Sequence, residues 1–208
     1  MMRTRFFRKW AAMALLMAVL LVGCRSSAPP IQFYSLNSLS ARTQKPDTTD
    51  AAPNIAIGVG PVQIPKVLDR PQIVTRTGPN KLMLDEFHRW AAPLDGDFAR
   101  VLAEDISILL GINRVAIYPW EVGFTPDYQI ALDIRYFEGQ LDKNVLLDVV
   151  WTVTDRSGQK TLAVKKSIIT EPLTASNYDA LVAGQSQAIE RLSREIAQEI
   201  RDLQARAN

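Results

Sequence analysis

Two segments of strictly alternating residues, followed by one long amphipathic segment, constrain the fold of this chain more than any other feature. In residues 128–138 every second residue from Tyr128 to Tyr136 is apolar, and in residues 145–154 every second residue from Val145 to Val153 is apolar, which predicts two strands with one buried face each. The turn-forming residues 155–158, with the sequence DRSG, lead into a third strand at residues 161–169. Three strands with short connections predict an antiparallel meander.

The last segment, residues 177–205, is predicted to be one long amphipathic helix. Its apolar residues recur at intervals of three and four, namely Tyr178, Leu181, Val182, Ile189, Leu192, Ile196, Ile200 and Leu203. Ser176, followed three residues later by Asp179, predicts a start similar to a capping box. Such a helix is ~40 Å long, enough to cross a sheet completely. The apolar stripe favours core packing over binding to a partner.

The first half of the chain predicts a second helix and further strands. Residues 97–110 carry apolar side chains on one side of a helix, and Gly111 follows where a helix often ends in glycine. Four shorter segments are predicted to be strands: residues 31–36, 55–64, 72–76 and 81–85. The last two form a predicted hairpin, and residues 40–54 a mobile loop.

These elements predict an α+β fold, in which two amphipathic helices pack on a mainly antiparallel or mixed β-sheet. Gly58 and Gly60 are predicted bulge positions in the strand at residues 55–64. Without its first 23 residues the chain has about 185 residues, the size of one ordinary domain.

The N-terminus predicts a lipoprotein signal peptide. Four basic residues precede the uncharged residues 11–21, an order typical of a secretory signal. The apolar run is shorter than the ~20 residues of a membrane-spanning helix. Cys24, the only cysteine, follows Gly23 directly after this run. We therefore expect residues 1–23 to be removed and Cys24 to carry the lipid anchor.

The residues after Cys24 predict a short tether and indicate the membrane to which the lipoprotein is sorted. Residues 24–30 are small, polar and proline-ended, and residues 31–208 form the single predicted domain. Position 25 holds Arg rather than the Asp that retains lipoproteins in the inner membrane. This predicts anchoring on the periplasmic face of the outer membrane.

Charge and cysteine content argue against a nucleic-acid-binding protein and against a disulfide-stabilised domain. Cleavage removes four basic and no acidic residues, so the formal charge falls from +2 to −2, with 20 Lys and Arg against 22 Asp and Glu. No strong positive field for nucleic acid remains. With Cys24 acylated, no thiol is left to form a disulfide.

The titratable residues do not form a familiar catalytic or metal-binding motif. His88 is the only histidine, and Asp85 and Glu86 would not converge with it on one ion from a strand or turn. Ser157 precedes Gly158 in a predicted turn and lacks the Gly-x-Ser-x-Gly elbow of hydrolases. We expect no enzyme activity, no metal and no cofactor.

Three carboxylates remain as candidates for acid–base chemistry: Asp133, Asp142 and Asp148. Of these, Asp148 has apolar neighbours in the sequence. An outward position on an alternating strand accounts for it better than catalysis does.

Five segments are similar to the auxiliary lipoprotein family of ABC-type transporters, which serves MCE lipid-transport systems. They are FYSL at residues 33–36, VGPVQIPKVLDRPQIVTR at 59–76, RWAAPL at 89–94, YPW at 118–120 and NYDALVAGQSQAIERLSREIA at 177–197. They span nearly the whole mature chain in the expected order. Ala92 and Val67 depart from the family, which often has an acidic and an aromatic residue there.

The resemblance implies a non-catalytic accessory lipoprotein of the outer membrane that contributes to envelope integrity. It implies work beside an MCE-domain protein and an inner-membrane permease, moving lipid or other hydrophobic molecules across the periplasm. It also implies self-association into a ring, and no nucleic-acid partner.

Two segments carry the mixture of apolar, Arg and Trp side chains that is enriched in interface hot spots. In residues 66–76 and 88–94 these side chains are Leu68, Arg70, Arg76, Trp90 and Leu94. We predict that they bind a neighbouring subunit or the MCE partner. The alternative is that Trp90 caps the core and Arg70 donates to backbone carbonyls.

Two other functions stay open. The sheet and the long helix could enclose an apolar cavity, as in a periplasmic lipid carrier. A lipoprotein hydrolase acting on envelope lipid or peptidoglycan is the third alternative, and it would need one essential carboxylate.

Overall fold

The computed structural model describes residues 29–39 and 55–207. The predicted signal peptide, Cys24 and the predicted loop at residues 40–54 lie outside the described residues. From Ile31 onward, the described residues form one compact unit.

The described residues contain eight strands and two helices. The strands are β1 Gln32–Tyr34, β2 Ile57–Gln63, β3 Gln72–Gly78, β4 Lys81–Trp90, β5 Val115–Ile117, β6 Tyr128–Gly139, β7 Asn144–Asp155 and β8 Thr161–Pro172. The helices are α1 Leu94–Leu110, between β4 and β5, and α2 Tyr178–Ala207 at the end. The α+β prediction is confirmed.

All eight strands belong to one mixed sheet, with β6 at its centre. The predicted meander is present: β7 runs antiparallel to both β6 and β8, and β3 and β4 form the predicted hairpin. The pairs β1–β4, β2–β5, β2–β6 and β3–β6 are parallel. Alternation within a strand determines which of its faces is buried, but it does not determine which strand lies beside it. The sequence pattern therefore does not predict the four parallel pairs.

The core lies between one sheet face and the two helices. In β7 every second residue from Val145 to Val153 is fully buried. Phe98 of α1 meets Phe137 of β6 edge to face, with ring centroids 5.3 Å apart, a favoured aromatic geometry. The apolar stripe of α2 is buried from Leu181 through Ile200. Helix α2 therefore packs on the core, as its sequence predicts.

The helix ends confirm one prediction and correct another. Gly111 ends α1 in the left-handed conformation, with φ 64°, which glycine adopts without a steric penalty. The predicted Ser176 cap is wrong, because Asn177 accepts the Ala180 N–H at 2.8 Å and caps α2. An asparagine one residue later satisfies the same orphan donor.

Several boundaries differ from the sequence expectation. Helix α1 begins at Leu94, three residues before the predicted start, and β4 continues to Trp90 instead of ending at residue 85. Strand β5 was not predicted. Gly60 lies in a register shift of β2, as predicted, whereas Gly58 pairs regularly.

Among the described residues, neither helix is both long and apolar enough to cross a membrane.

Candidate functional site

The two segments predicted to bind a partner lie side by side. Gln72, at the start of β3, is in register with Arg89 of β4. The Trp90 N–H donates to the Pro71 carbonyl at 2.7 Å. Strand β1 pairs with the same end of β4, so Phe33 is opposite Arg89. We call the surface formed by β1, residues 65–71 and residues 85–94 the β1 edge.

Three of the five predicted partner-binding side chains are buried at the β1 edge. Leu68 is 3%, Trp90 6% and Leu94 4% exposed, and all three belong to the hydrophobic core. Their side chains support the backbone of this surface from below. A role for them in partner binding stays a prediction, one that would act through the backbone they hold.

Arg70 is half-buried beside Leu68, in the turn that precedes β3. Its backbone N–H donates to the Leu68 carbonyl at 2.9 Å. Its Nε atom is buried and has no hydrogen-bond partner among the described residues. Leaving a buried donor unpaired costs ~1–3 kcal/mol. Arg70 is therefore the predicted residue with the least complete set of partners among the described residues, and it is also partly exposed.

Arg76 lies further along β3 and has partners within the chain. Its Nε donates to Glu138 at 2.8 Å and its Nη1 to the Pro79 carbonyl at 2.9 Å. These side chains line an open groove of about 270 Å³ that also includes Tyr136 and Lys143. Arg76 thus belongs to a groove on the sheet and not to the immediate surroundings of Trp90.

Sequence reasoning missed the residue that organises the β1 edge, Asp85. The register of β4 against β3 shifts between Leu84 and Arg89, which leaves a bulge. The Oδ1 atom of Asp85 accepts the N–H groups of Phe87 and His88 at 2.8 and 3.0 Å, and His88 Nδ1 lies 2.9 Å away. The spacing from Asp85 to His88 is the signal in the sequence that points to this contact.

The same carboxylate ties the bulge to helix α2. The Tyr178 hydroxyl donates to Asp85 Oδ2 at 3.2 Å, and the Tyr178 ring stacks on His88 at 3.9 Å between centroids. Tyr34 of β1 lies 5.8 Å from the His88 ring. One strand, one bulge and one helix start are joined in this cluster.

The pKa shifts in this cluster have physical causes in the same contacts. Burial raises the pKa of Asp85, but the hydrogen bonds from His88, Phe87 and Tyr178 outweigh it, and the net pKa is lowered. Burial and the nearby charge of Asp85 raise the pKa of Tyr178 to about 12. At neutral pH an ionised Asp85 therefore accepts from a neutral Tyr178.

The chain that enters the domain is fixed by two buried carboxylates of α1. Asp97 accepts the Leu36 N–H and Asp105 accepts the Leu39 N–H, each at 2.7 Å. Arg100 donates to the Leu36 carbonyl at 2.7 Å and pairs with Asp97. These bonds fasten the segment after the predicted tether directly to the core.

A second pair of family-like segments meets at the opposite part of the sheet. A Cβ atom at Gly58 would lie 2.8 Å from the Trp120 ring, and one at Gly60 would lie 2.8 Å from Tyr118 Cβ. Gly60 has φ +115°, and the Tyr118 N–H donates to the Val59 carbonyl at 2.8 Å. Close packing therefore explains why glycine is present in VGP, next to YPW.

Two of the remaining polar candidates, Ser157 and Asp148, have structural partners. Ser157 donates to Asp155 at 2.7 Å within the predicted turn. Asp148 lies on the alternating outer face of β7 and pairs with Lys166 at 3.1 Å. Within the described part of the chain, no three His, Cys, Asp or Glu side chains are grouped as metal ligands would be. The β1 edge is therefore a candidate for binding, and its polar contacts position the backbone.

Comparison with known proteins extends the resemblance. The model of the ABC-type transport auxiliary lipoprotein component family matches residues 34–197. The intermembrane transport lipoprotein PqiC of Escherichia coli strain K12 is 26% identical over 197 residues, covering 94% of this chain and 99% of that protein. PqiC of Shigella flexneri matches equally well.

Two solved structures share the fold. A crystal structure of an uncharacterized protein has a TM-score of 0.67 at 20% identity and covers 83% of this chain and 99% of its own. A Xanthomonas campestris protein also has a TM-score of 0.67, at 17% identity, with coverage of 85% and 98%.

Proposed function

This chain belongs to the ABC-type transport auxiliary lipoprotein component family, and on that premise we propose that it is a non-catalytic accessory subunit of an MCE lipid-transport system. Acyl chains on Cys24 hold it in the periplasmic leaflet of the outer membrane. It binds an MCE-domain protein that works with an inner-membrane permease, assembles with copies of itself into a ring, and contributes to envelope integrity.

The observation that carries this proposal is the convergence of both predicted partner segments on the β1 edge. The segments meet through the Trp90 and Pro71 backbone bond and contain the unpaired Arg70 Nε atom. Arg70 as a whole is partly exposed, and its guanidinium would donate to a carbonyl or carboxylate on a partner. A guanidinium donating to an acceptor in a desolvated contact is typical of interface hot spots.

The attachment of the domain supports an anchored role. Asp97 and Asp105 bind the backbone at Leu36 and Leu39, so the chain leading from Cys24 reaches the core without a free hinge after residue 35. A force on the anchor is transmitted to α1. An accessory protein that bridges a membrane and a partner needs such a connection.

Two grooves on the described surface support the accessory role over the lipid-carrier alternative. The groove of about 510 Å³ beside β8 and α2 is open and lined by charged side chains including Lys165, Glu199 and Asp202. An acyl chain requires apolar walls. The space between sheet and helices is occupied by the core side chains themselves.

The proposal is tested by crosslinking the full-length lipoprotein in its native envelope and identifying the captured proteins. We expect the wild-type chain to capture an MCE-domain protein, and Arg70→Ala to weaken capture severalfold. Arg135→Ala, which removes an exposed arginine of β6, is the matched control and should capture normally.

Each part of the proposal has its own negative result. Absence of an MCE protein from the wild-type capture contradicts the assigned system. Equal capture by Arg70→Ala contradicts the assignment of the β1 edge. A mass spectrum without acyl chains on Cys24 contradicts the anchor.

A further inference from the structure

Strand β1 and the residue before it present two large apolar side chains to solvent. Ile31 is 47% and Phe33 66% exposed. Because side chains alternate along an extended chain, these two lie on one face. Gln32 and Tyr34 lie on the other, where the Tyr34 hydroxyl donates to Gln32 at 2.7 Å. The core does not use Ile31 and Phe33, so the packing of this domain does not explain them.

The neighbouring surface is small, apolar and electrically balanced. The Ala91 N–H donates to the Tyr34 carbonyl at 2.8 Å, and the exposed residues Ala91, Ala92 and Pro93 continue from there. Arg89, in register with Phe33, pairs with Glu86 at 3.0 Å. We call Ile31, Phe33 and residues 91–93 the β1 patch.

The position of the β1 patch in the chain limits how far it can lie from the anchor. Seven residues lead from Cys24 to Ile31, and an extended chain spans at most ~3.3–3.6 Å per residue. Ile31 is therefore within ~25 Å of the Cys24 backbone, and Phe33 within ~32 Å. A lipid anchor on Cys24 keeps this patch close to the bilayer at all times.

The fixed segment after β1 makes the patch a rigid part of the domain. Strand β1 pairs with β4 over three residues, and Leu36 is held by Asp97 and Arg100 immediately afterwards. The patch cannot turn towards the membrane without turning the domain. Its contacts would therefore set the orientation of the whole domain.

We propose that the β1 patch lies against the phospholipid bilayer that holds Cys24, with Phe33 inserted at the boundary of headgroups and acyl chains. This inference rests on the proposed function in requiring acylation of Cys24, and it leaves the protein partner to the part of the β1 edge formed by residues 65–71, where Arg70 lies. Phe, Trp and Leu are common on the apolar faces of peripheral proteins that are buried at that boundary, and burying Phe33 there removes its apolar surface from water. The acyl chains supply the affinity, and the patch supplies the orientation.

The balanced charge of the patch defines which membranes it fits. Basic peripheral proteins need anionic lipid, since each Lys or Arg gains attraction from the surface charge. Here Arg89 is already paired with Glu86. Contact should therefore be independent of anionic lipid content and of salt.

The test measures the depth of position 33 in vesicles. The full-length lipoprotein carrying Phe33→Cys, its only reactive thiol once Cys24 is acylated, is labelled with a fluorophore. It is reconstituted in phosphatidylethanolamine and phosphatidylglycerol vesicles that contain nitroxide-labelled lipid. The matched control is Ile168→Cys on β8, which is exposed to 62%.

We expect nitroxide lipid to quench the label at position 33 severalfold more strongly than the label at position 168. A label at Ile31→Cys should behave like the one at position 33. Replacing phosphatidylglycerol by phosphatidylcholine should leave the quenching unchanged.

Three results would overturn the proposal. Equal quenching at positions 33 and 168 would mean that the patch has no preferred contact with lipid. A label at position 33 that is shielded from aqueous iodide but not quenched by lipid would mean that protein covers it. Loss of vesicle flotation together with an unmodified Cys24 would overturn both this inference and the proposed anchor, whereas the first two results leave the anchor intact.

Discussion

Two of the edge strands of the sheet, β1 and β8, contrast with each other, and both carry exposed apolar side chains. Strand β8 has twelve residues, pairs along almost all of β7 and shows Val164 and Ile168 on its outer face. Strand β1 has three residues and shows Phe33. Similar exposure therefore arises at a long regular edge and at a short irregular one.

The two edges are held by different kinds of contact. On the inner side of β8, Lys165 pairs with Glu199 and Ser167 bonds to Glu195, both on α2. These side-chain contacts add to the backbone hydrogen bonds that already hold β8 against β7. At β1, a bulge, buried carboxylates and stacked rings replace most of the ladder. Strand β8 is therefore held in place by backbone hydrogen bonds, whereas the shape of the β1 edge depends on a few polar side chains.

The largest effect that distinguishes the edges should come from Trp90→Ala. Removing this buried side chain at the β1 edge should lower the free energy of unfolding by about 3–5 kcal/mol. Val164→Ala at the β8 edge should change it by no more than about 0.5 kcal/mol. Urea unfolding followed by circular dichroism measures both, and equal effects would erase the contrast.

A second large effect is expected from Asp97→Ala. This change removes the acceptor of the buried Leu36 N–H and the partner of Arg100, so stability should fall by about 2–3 kcal/mol. Asp97→Asn keeps one acceptor and should lose less. Hydrogen exchange at Leu36 would report the local loss, and unchanged protection there would contradict the clamp.

An intermediate and pH-dependent effect is expected from Asp85→Asn. The folded pKa of Asp85 is lowered from 3.8, so its contribution is present above that value and is lost as pH falls through the folded pKa. Wild-type stability should therefore fall more steeply than that of Asp85→Asn between about pH 5 and pH 2. Parallel curves would show that the carboxylate is not engaged.

Tyr178 provides the matching test at alkaline pH. Its folded pKa is raised from 10.0 to about 12, so the stability that it contributes is present below pH 10 and is lost as pH rises towards 12. Tyr178→Phe should flatten this decline. Absorbance of tyrosinate in the folded protein measures the titration directly, and a normal midpoint would contradict the contact with Asp85.

The smallest effect belongs to the β8 side. Arg194→Ala breaks an exposed pair with Glu190 one turn away on α2, and pairs of this kind contribute less than about 0.5 kcal/mol. Thermal unfolding should barely change. A large loss would show that the groove beside β8 is as dependent on polar contacts as the β1 edge.

The β8 side of the sheet and the β1 edge also differ in how well the sequence predicts them. The meander of β6, β7 and β8 and both helices follow from local periodicity, because the buried face of each element is written in its own residues. The β1 edge needed more. Asp85 and His88 are close in sequence, but Tyr178 is 93 residues from Asp85. No local sequence pattern predicts the hydrogen bond between Tyr178 and Asp85.

The predicted partner residues illustrate the same limit. Composition selected Leu68, Arg70 and Trp90 as a hot-spot mixture, but it could not separate side chains that face a partner from those that face the core. The structure brings their segments together and buries Leu68 and Trp90, and among residues 29–39 and 55–207 it gives the Nε atom of Arg70 no hydrogen-bond partner.

The sequence by itself determined the class of fold, the family and an expected anchor at Cys24, because these depend on short periodicities and on motifs read in order. Only the tertiary structure decided that β2 runs parallel between β5 and β6, that Asp97 and Asp105 hold the entering chain, and that Phe33 is left exposed beside it. Each of these features depends on contacts between residues that are distant in sequence. The free energy of such contacts depends on how the whole domain packs, so no local pattern predicts them.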